Sequence, residues 1–114
     1  MVEDEPLLLF DIVDQLEAEG FKVYQASNAD IAIEILMMYA DIRLIFTDVD
    51  MPGGSMDGLK LAAAVRDRWP PVKIVITSGH RQVDITDIPD GSVFFPKPYV
   101  FDAVTTSIRE LLLR

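Results

Sequence analysis

The sequence predicts an α/β fold in which a doubly wound parallel sheet carries helices on both faces. Three observations predict it. Short runs rich in branched and aromatic residues alternate with stretches of helical periodicity along the chain. The runs RLIFTD (43–48) and VKIVIT (72–77) are mostly apolar on consecutive positions, as strands buried on both faces are. Capping and breaking residues stand between the runs, and right-handed crossovers would place the intervening helices on the two faces. At 114 residues the chain is expected to form one domain, 1–114, that buries roughly two thirds of its unfolded surface.

Each element has a local reason. Leu8, Ile12 and Leu16, with Leu9 at the margin, share one helical face after Pro6 and before Gly20, which predicts a helix over about 6–19. FKVYQA (21–26) has the composition of a strand. Asn28 is placed to cap a helix carrying Ile31, Ile35, Leu36 and Met38. RLIFTD follows as a strand, and Asp57 is placed to cap the helix GLKLAAAVRDRW (58–69), which Pro70 and Pro71 close. VKIVIT and SVFFPK (92–97) are the next strands, and DAVTTSIRELLLR (102–114) is a closing helix. Between those strands QVDITDI holds Val, Ile, Thr and Asp, each costing roughly 0.4 to 0.7 kcal/mol against Ala in a helix. Pro89 then stops any helix, so a helix there is expected to be short, frayed or absent.

Composition narrows the function. Ten Lys and Arg against 19 Asp and Glu give a net charge of -9, which repels nucleic-acid phosphates and anionic lipid. With no cysteine, disulfides, zinc-thiolate sites and thiol catalysis are excluded, and any metal must be held by oxygen. No apolar run of membrane-spanning length occurs and the N-terminus is acidic, so a soluble, cytoplasmic chain is expected.

In open parallel sheets ligands sit beyond the carboxyl ends of the strands. Polar residues stand there: Glu3 and Asp4, Asp48, Thr77 and Lys97. Three acids, a hydroxyl and an amine would converge in one crevice, and the acids would repel each other strongly without a cation and the lysine. The stretches VEDEP, FTDVDMP, VITSG and FPKPY that carry them resemble, in order and spacing, the receiver domain of bacterial two-component response regulators. The resemblance covers the whole chain. It implies a five-stranded, flavodoxin-like sheet of order 2-1-3-4-5. It also implies that Asp48 accepts a phosphoryl group from a histidine kinase or histidine phosphotransfer protein. Mg²⁺ would be bound by Asp4, Asp48 and the backbone carbonyl of Asp50, with Glu3 acting mainly through water. Lys97 would pair with Asp48 and then with a phosphoryl oxygen, and Thr77 would donate to another. The output would be a switch in contact with a downstream protein or a second copy of the chain, without enzymatic turnover of a metabolite.

Several features qualify the match. PGGSMDG is longer than the usual loop, and Gly53 and Gly54 favour mobility there. Only Met1 and Val2 precede the acidic pair, whereas strands usually run about five residues; the first strand is expected to be a stub or to draw on residues upstream of Met1. His80, the one histidine, is expected to face solvent, so phosphohistidine must come from a partner. Leu7, Phe10 and Val13 are expected to leave an apolar strip on the first helix, where the family docks its kinase. Phe94 stands at the family's aromatic switch position, and Lys97-Pro98 resembles its cis peptide. A pseudo-receiver that takes no phosphate, a small aspartate-nucleophile phosphatase and a flavin binder are the alternatives. The phosphatase motif normally ends a first strand, and EDEP would repel a flavin phosphate.

Overall fold

The structure, a computed structural model, describes residues 1–51, 56–79 and 83–114. The element order is α1 (Pro6–Ala18), α2 (Ala29–Met38), β1 (Leu44–Asp48), α3 (Gly58–Arg68), β2 (Lys73–Ser78), a 3₁₀ turn (Ile85–Asp87), β3 (Val93–Pro96) and α4 (Phe101–Leu112). The α/β class and the parallel pairing are as predicted. β1 pairs with β2 in the register Asp48↔Thr77, and β2 with β3 in the register Ser78↔Pro96, which brings the carboxyl ends level.

The sheet differs from the five-stranded expectation in extent, not in order. Among the described residues three strands form ladders, while the first two predicted strands contribute one bridging residue each. Val2 bridges in parallel to Ala26 on one side and to Thr47 on the other, giving the lateral order 2-1-3-4-5 of the five candidate segments. With Met1 and Val2 alone ahead of Glu3, residues 21–25 have no long inner partner and form no ladder.

Helix starts follow their capping chemistry. The Asn28 side chain accepts from Ile31 N at 2.9 Å and Asp57 from Lys60 N at 2.9 Å, each satisfying a backbone donor that the first turn leaves free. Glu5 caps α1 by accepting from Leu7 N and Leu8 N, with Pro6 in the first turn. The strands feed two cores. Ile45, Ile74 and Ile76 pack with Ala29, Ala32 and Leu36 of α2 and Leu61, Ala62 and Val65 of α3. Phe46 and Val75 point the other way, onto Ile12 and Leu16 of α1 and Val104, Ile108 and Leu111 of α4. Phe94 and Phe95 divide between the same two cores.

Val13, Ile31 and Met38 depart from the expected faces, Ile31 being 37% exposed. Val13 is buried, so the exposed apolar strip on α1 reduces to Leu7 (78% exposed) and Phe10 (71%). On α2 the small Ala29 and Ala32 face the core together with Leu36, while Met38 stays exposed. Between β2 and β3 the helical structure among the described residues is the 3₁₀ turn alone, as the poor propensities and Pro89 dictate. The expectations for Gly53, Gly54 and His80 lie outside the described residues.

Candidate functional site

The level strand ends gather the predicted residues. Val2 is pinned by Val2 N to Phe46 O at 2.8 Å and by Asp48 N to Val2 O at 3.1 Å, so Glu3 and Asp4 emerge beside the last residue of β1. Asp48 closes that strand with 3% exposure, Thr77 lies next to it on β2, and Lys97 follows β3, held by its N–H to Ser78 O at 2.9 Å. One carboxylate oxygen from each of Glu3, Asp4 and Asp48 falls within 4.8 Å of the others.

Lys97 answers this negative charge. Its Nζ lies 3.1 Å from Asp48 Oδ2 and 3.6 Å from Glu3 Oε1. Burial works against the charged form of Lys97, but the hydrogen bond and charge of Asp48, joined by Glu3, outweigh it and raise its pKa. Glu3 is 2% exposed. Burial above all, together with the Asp48 charge and against the Glu5 N–H it accepts, pushes its carboxyl up from the ordinary 4.5 to about 7.

Asp50 stands at the rim. Its N–H donates to Asp48 Oδ1 at 3.3 Å, and its Oδ2 accepts from Ser78 Oγ at 2.9 Å. Thr77 Oγ1 is buried beside the cluster and makes no hydrogen bond among the described residues. The donor set, hard and all oxygen, is the kind that Mg²⁺ takes; three crowded carboxylates with one amine, and an orphaned hydroxyl aimed at no protein group, fit a divalent cation and an oxyanion better than they fit a closed polar network.

The structure adds three residues that sequence reasoning left without a role. Ser78 fastens the loop after β1 to the end of β2 through Asp50; its place next to Thr77 was the available signal. Gly58, at the start of α3, lies against the end of β1, where a Cβ would overlap the Asp48 carbonyl oxygen and come 2.8 Å from Val49 Cα. At Gly79 a Cβ would press on the aliphatic stem of Lys97, at 3.1 Å from its Cβ. No local pattern marks either contact, because each is made with a residue far away in the chain. The Lys97-Pro98 peptide is cis. Among the described residues no helix is long and apolar enough to cross a membrane.

Known proteins are similar to this chain in sequence and fold. The family model described as the response regulator receiver domain matches residues 1–106. The sensor kinase CckA of Brucella abortus is 28% identical over 98% of this chain, and the aerobic respiration control protein ArcA of Escherichia coli K12 is 31% identical over all of it. The chain spans 12% of the length of CckA and 48% of ArcA. A response regulator receiver protein from Sinorhizobium medicae superimposes with a TM-score of 0.86 at 32% identity, covering 97% of this chain and 90% of that one. The family match over residues 1–106 and the shared fold place it: the chain belongs to the response regulator receiver domains of two-component signalling.

Proposed function

We propose that the domain is a phosphorylation-driven switch whose acceptor is Asp48. A carboxylate oxygen of Asp48 attacks the phosphorus of an N-phosphohistidine on a histidine kinase or histidine phosphotransfer protein. The O–P bond forms as the N–P bond breaks, the electron pair leaves with the imidazole nitrogen, which takes up a proton, and an acyl phosphate remains on Asp48. Glu3, Asp4 and Asp48, with the backbone carbonyl of Asp50, would hold Mg²⁺, Glu3 acting mainly through water. When bound, the cation offsets the repulsion between these acids and the incoming phosphoryl oxygens. Lys97 moves from Asp48 to a phosphoryl oxygen as charge develops there. The unpartnered Thr77 hydroxyl donates to another.

The observation that carries this reading is the 3.1 Å contact of Lys97 Nζ with the nearly buried Asp48, beside two further carboxylates. A kinase partner is supported by CckA, a relative named as a sensor kinase, and by Leu7 and Phe10, exposed on α1 where the helix leaves the acidic pair. The phosphoryl group ends on the domain itself, so the output is a change of contact with a downstream protein or a second copy, in the cytoplasm, and not turnover of a metabolite.

The experiment is labelling by acetyl phosphate and by phosphorylated kinases, with and without Mg²⁺, read by intact mass. Labelling should require Mg²⁺ and vanish in Asp48→Asn, whose fold is preserved. Undiminished labelling of that variant would refute Asp48 as acceptor. A wild-type chain that no donor labels would instead be a pseudo-receiver.

A further inference from the structure

β2 ends in three consecutive residues that each meet a different part of the acidic site. Thr77 lies opposite Asp48 in the ladder, Ser78 bonds to the loop after β1, and Gly79 leaves room for the Lys97 stem, which a Cβ there would approach to 3.1 Å. Ser78 is 3% exposed and bonds in two directions. Its carbonyl accepts from Lys97 N at 2.9 Å, which ties down the segment that carries the lysine. Its hydroxyl donates to Asp50 Oδ2 at 2.9 Å, across 28 residues of sequence. A buried hydroxyl needs a partner, and a nearby backbone carbonyl would serve. Here the partner is a loop carboxylate, so the bond is charge-assisted and stronger than a neutral one.

What that bond controls follows from how the chain leaves β1. Regular pairing with β2 ends at Asp48↔Thr77, and Val49 N to Thr77 O at 2.9 Å lies one step beyond it. At residue 50 the N–H to Asp48 Oδ1 is long, at 3.3 Å, so the Ser78 bond is the firmer of these two. The same bond bears on where the Asp50 charge goes. Oxygens of Glu3, Asp4 and Asp48 converge within 4.8 Å of one another, and Asp50 is not a member of that group. We propose that Ser78 is a positioning residue of the acidic site: its hydroxyl latches the Asp50 carboxylate outside the three-acid cluster and so sets the main chain of residue 50 in place for the cation. The proposal rests on the reading in which the Asp50 carbonyl is a Mg²⁺ ligand. A fourth carboxylate in the cluster would add repulsion, whereas a carbonyl brings a hard oxygen without a charge. Holding that oxygen in place beforehand lowers the cost of ordering the loop when the cation binds.

The test uses Ser78→Ala, Asp50→Ala, their double variant and Asp50→Asn, with amide exchange measured without metal and Mg²⁺ affinity measured by calorimetric titration. Without metal, Ser78→Ala should speed exchange of the Asp50 amide about fivefold or more. It should leave the Lys97 amide unchanged, because the Ser78 carbonyl that accepts from it is retained. Asp50→Asn keeps an oxygen for the hydroxyl and should keep the slow exchange at residue 50. Equal acceleration at residues 50 and 97 would mark a general loosening of the strand end and overturn the proposal. Mg²⁺ binding should weaken about tenfold in Ser78→Ala, and the double variant should bind no more weakly than Asp50→Ala alone. Unchanged or tighter Mg²⁺ binding in Ser78→Ala, or additive losses in the double variant, would overturn the proposal. A wild-type chain that binds no Mg²⁺ would overturn the cation reading, and with it the Mg²⁺ half of the proposal, while the metal-free exchange would still decide the latch.

Discussion

Gly58→Ala isolates the packing that supports the acidic site. Gly58 is fully buried against the end of β1, and its N–H donates to Val49 O at 3.1 Å. An added Cβ would collide with the Asp48 carbonyl oxygen and sit 2.8 Å from both Asp48 C and Val49 Cα. All three are backbone atoms of residues almost without solvent exposure, so no rotamer change relieves the overlap. Ordinary contact begins near 3.4 Å; the start of α3 and the end of β1 must therefore part by more than half an ångström, about 0.6 Å from Val49 Cα. Overpacking of this kind costs about 1–3 kcal/mol. Alanine returns up to about 1 kcal/mol by restricting the unfolded chain and favouring helix, but less at a helix start than in its interior. A net loss of about 1–2 kcal/mol lowers the melting temperature by roughly 4–8 °C for a chain of this size. Thermal unfolding followed by circular dichroism reads this directly. Phosphoryl labelling at a temperature where the variant is fully folded should also slow, because Asp48 itself moves. A melting temperature equal to or above that of the wild type would refute the contact.

Three further outcomes follow from the site. Thr77→Val replaces an orphaned buried hydroxyl by a methyl group of similar shape, so stability should change by less than about 1 kcal/mol or rise, while the conformational response to phosphorylation or beryllofluoride, followed by amide exchange, is lost. Lys97→Met leaves Asp48 and Glu3 facing each other without the amine; unfolding by urea should show a loss of about 2–4 kcal/mol, partly restored by millimolar Mg²⁺. With a chelator present, the Glu3 carboxyl has a folded pKa of about 7 against an ordinary 4.5. The folded state then holds the proton more tightly, so its contribution is complete below pH 4.5 and is lost as pH rises to about 7. Urea midpoints measured across that window should fall, and Glu3→Gln should flatten the fall.

Much of this was legible in local sequence. Apolar periodicity, the caps Asn28 and Asp57 and the breakers Pro70 and Pro71 act within a few residues, so they mark α2, α3 and the ends of the elements without reference to the rest of the chain. The rule that parallel strands present their carboxyl ends to ligands singled out Glu3, Asp4, Asp48, Thr77 and Lys97, which the fold brings together, and poor propensity with Pro89 accords with the 3₁₀ turn that is the helical structure before β3 among the described residues. Tertiary structure decided what depends on distance between remote residues. It buried Val13 and turned Met38 outward, it set Gly58 against Asp48 and Gly79 against Lys97, and it bonded Ser78 to Asp50. It also reduced the second predicted strand, 21–26, to a single bridge at Ala26, opposite the short first strand that the sequence predicts. A strand's composition records its preference for a sheet, but a ladder exists only where a partner lies alongside, and that is a property of the assembled fold.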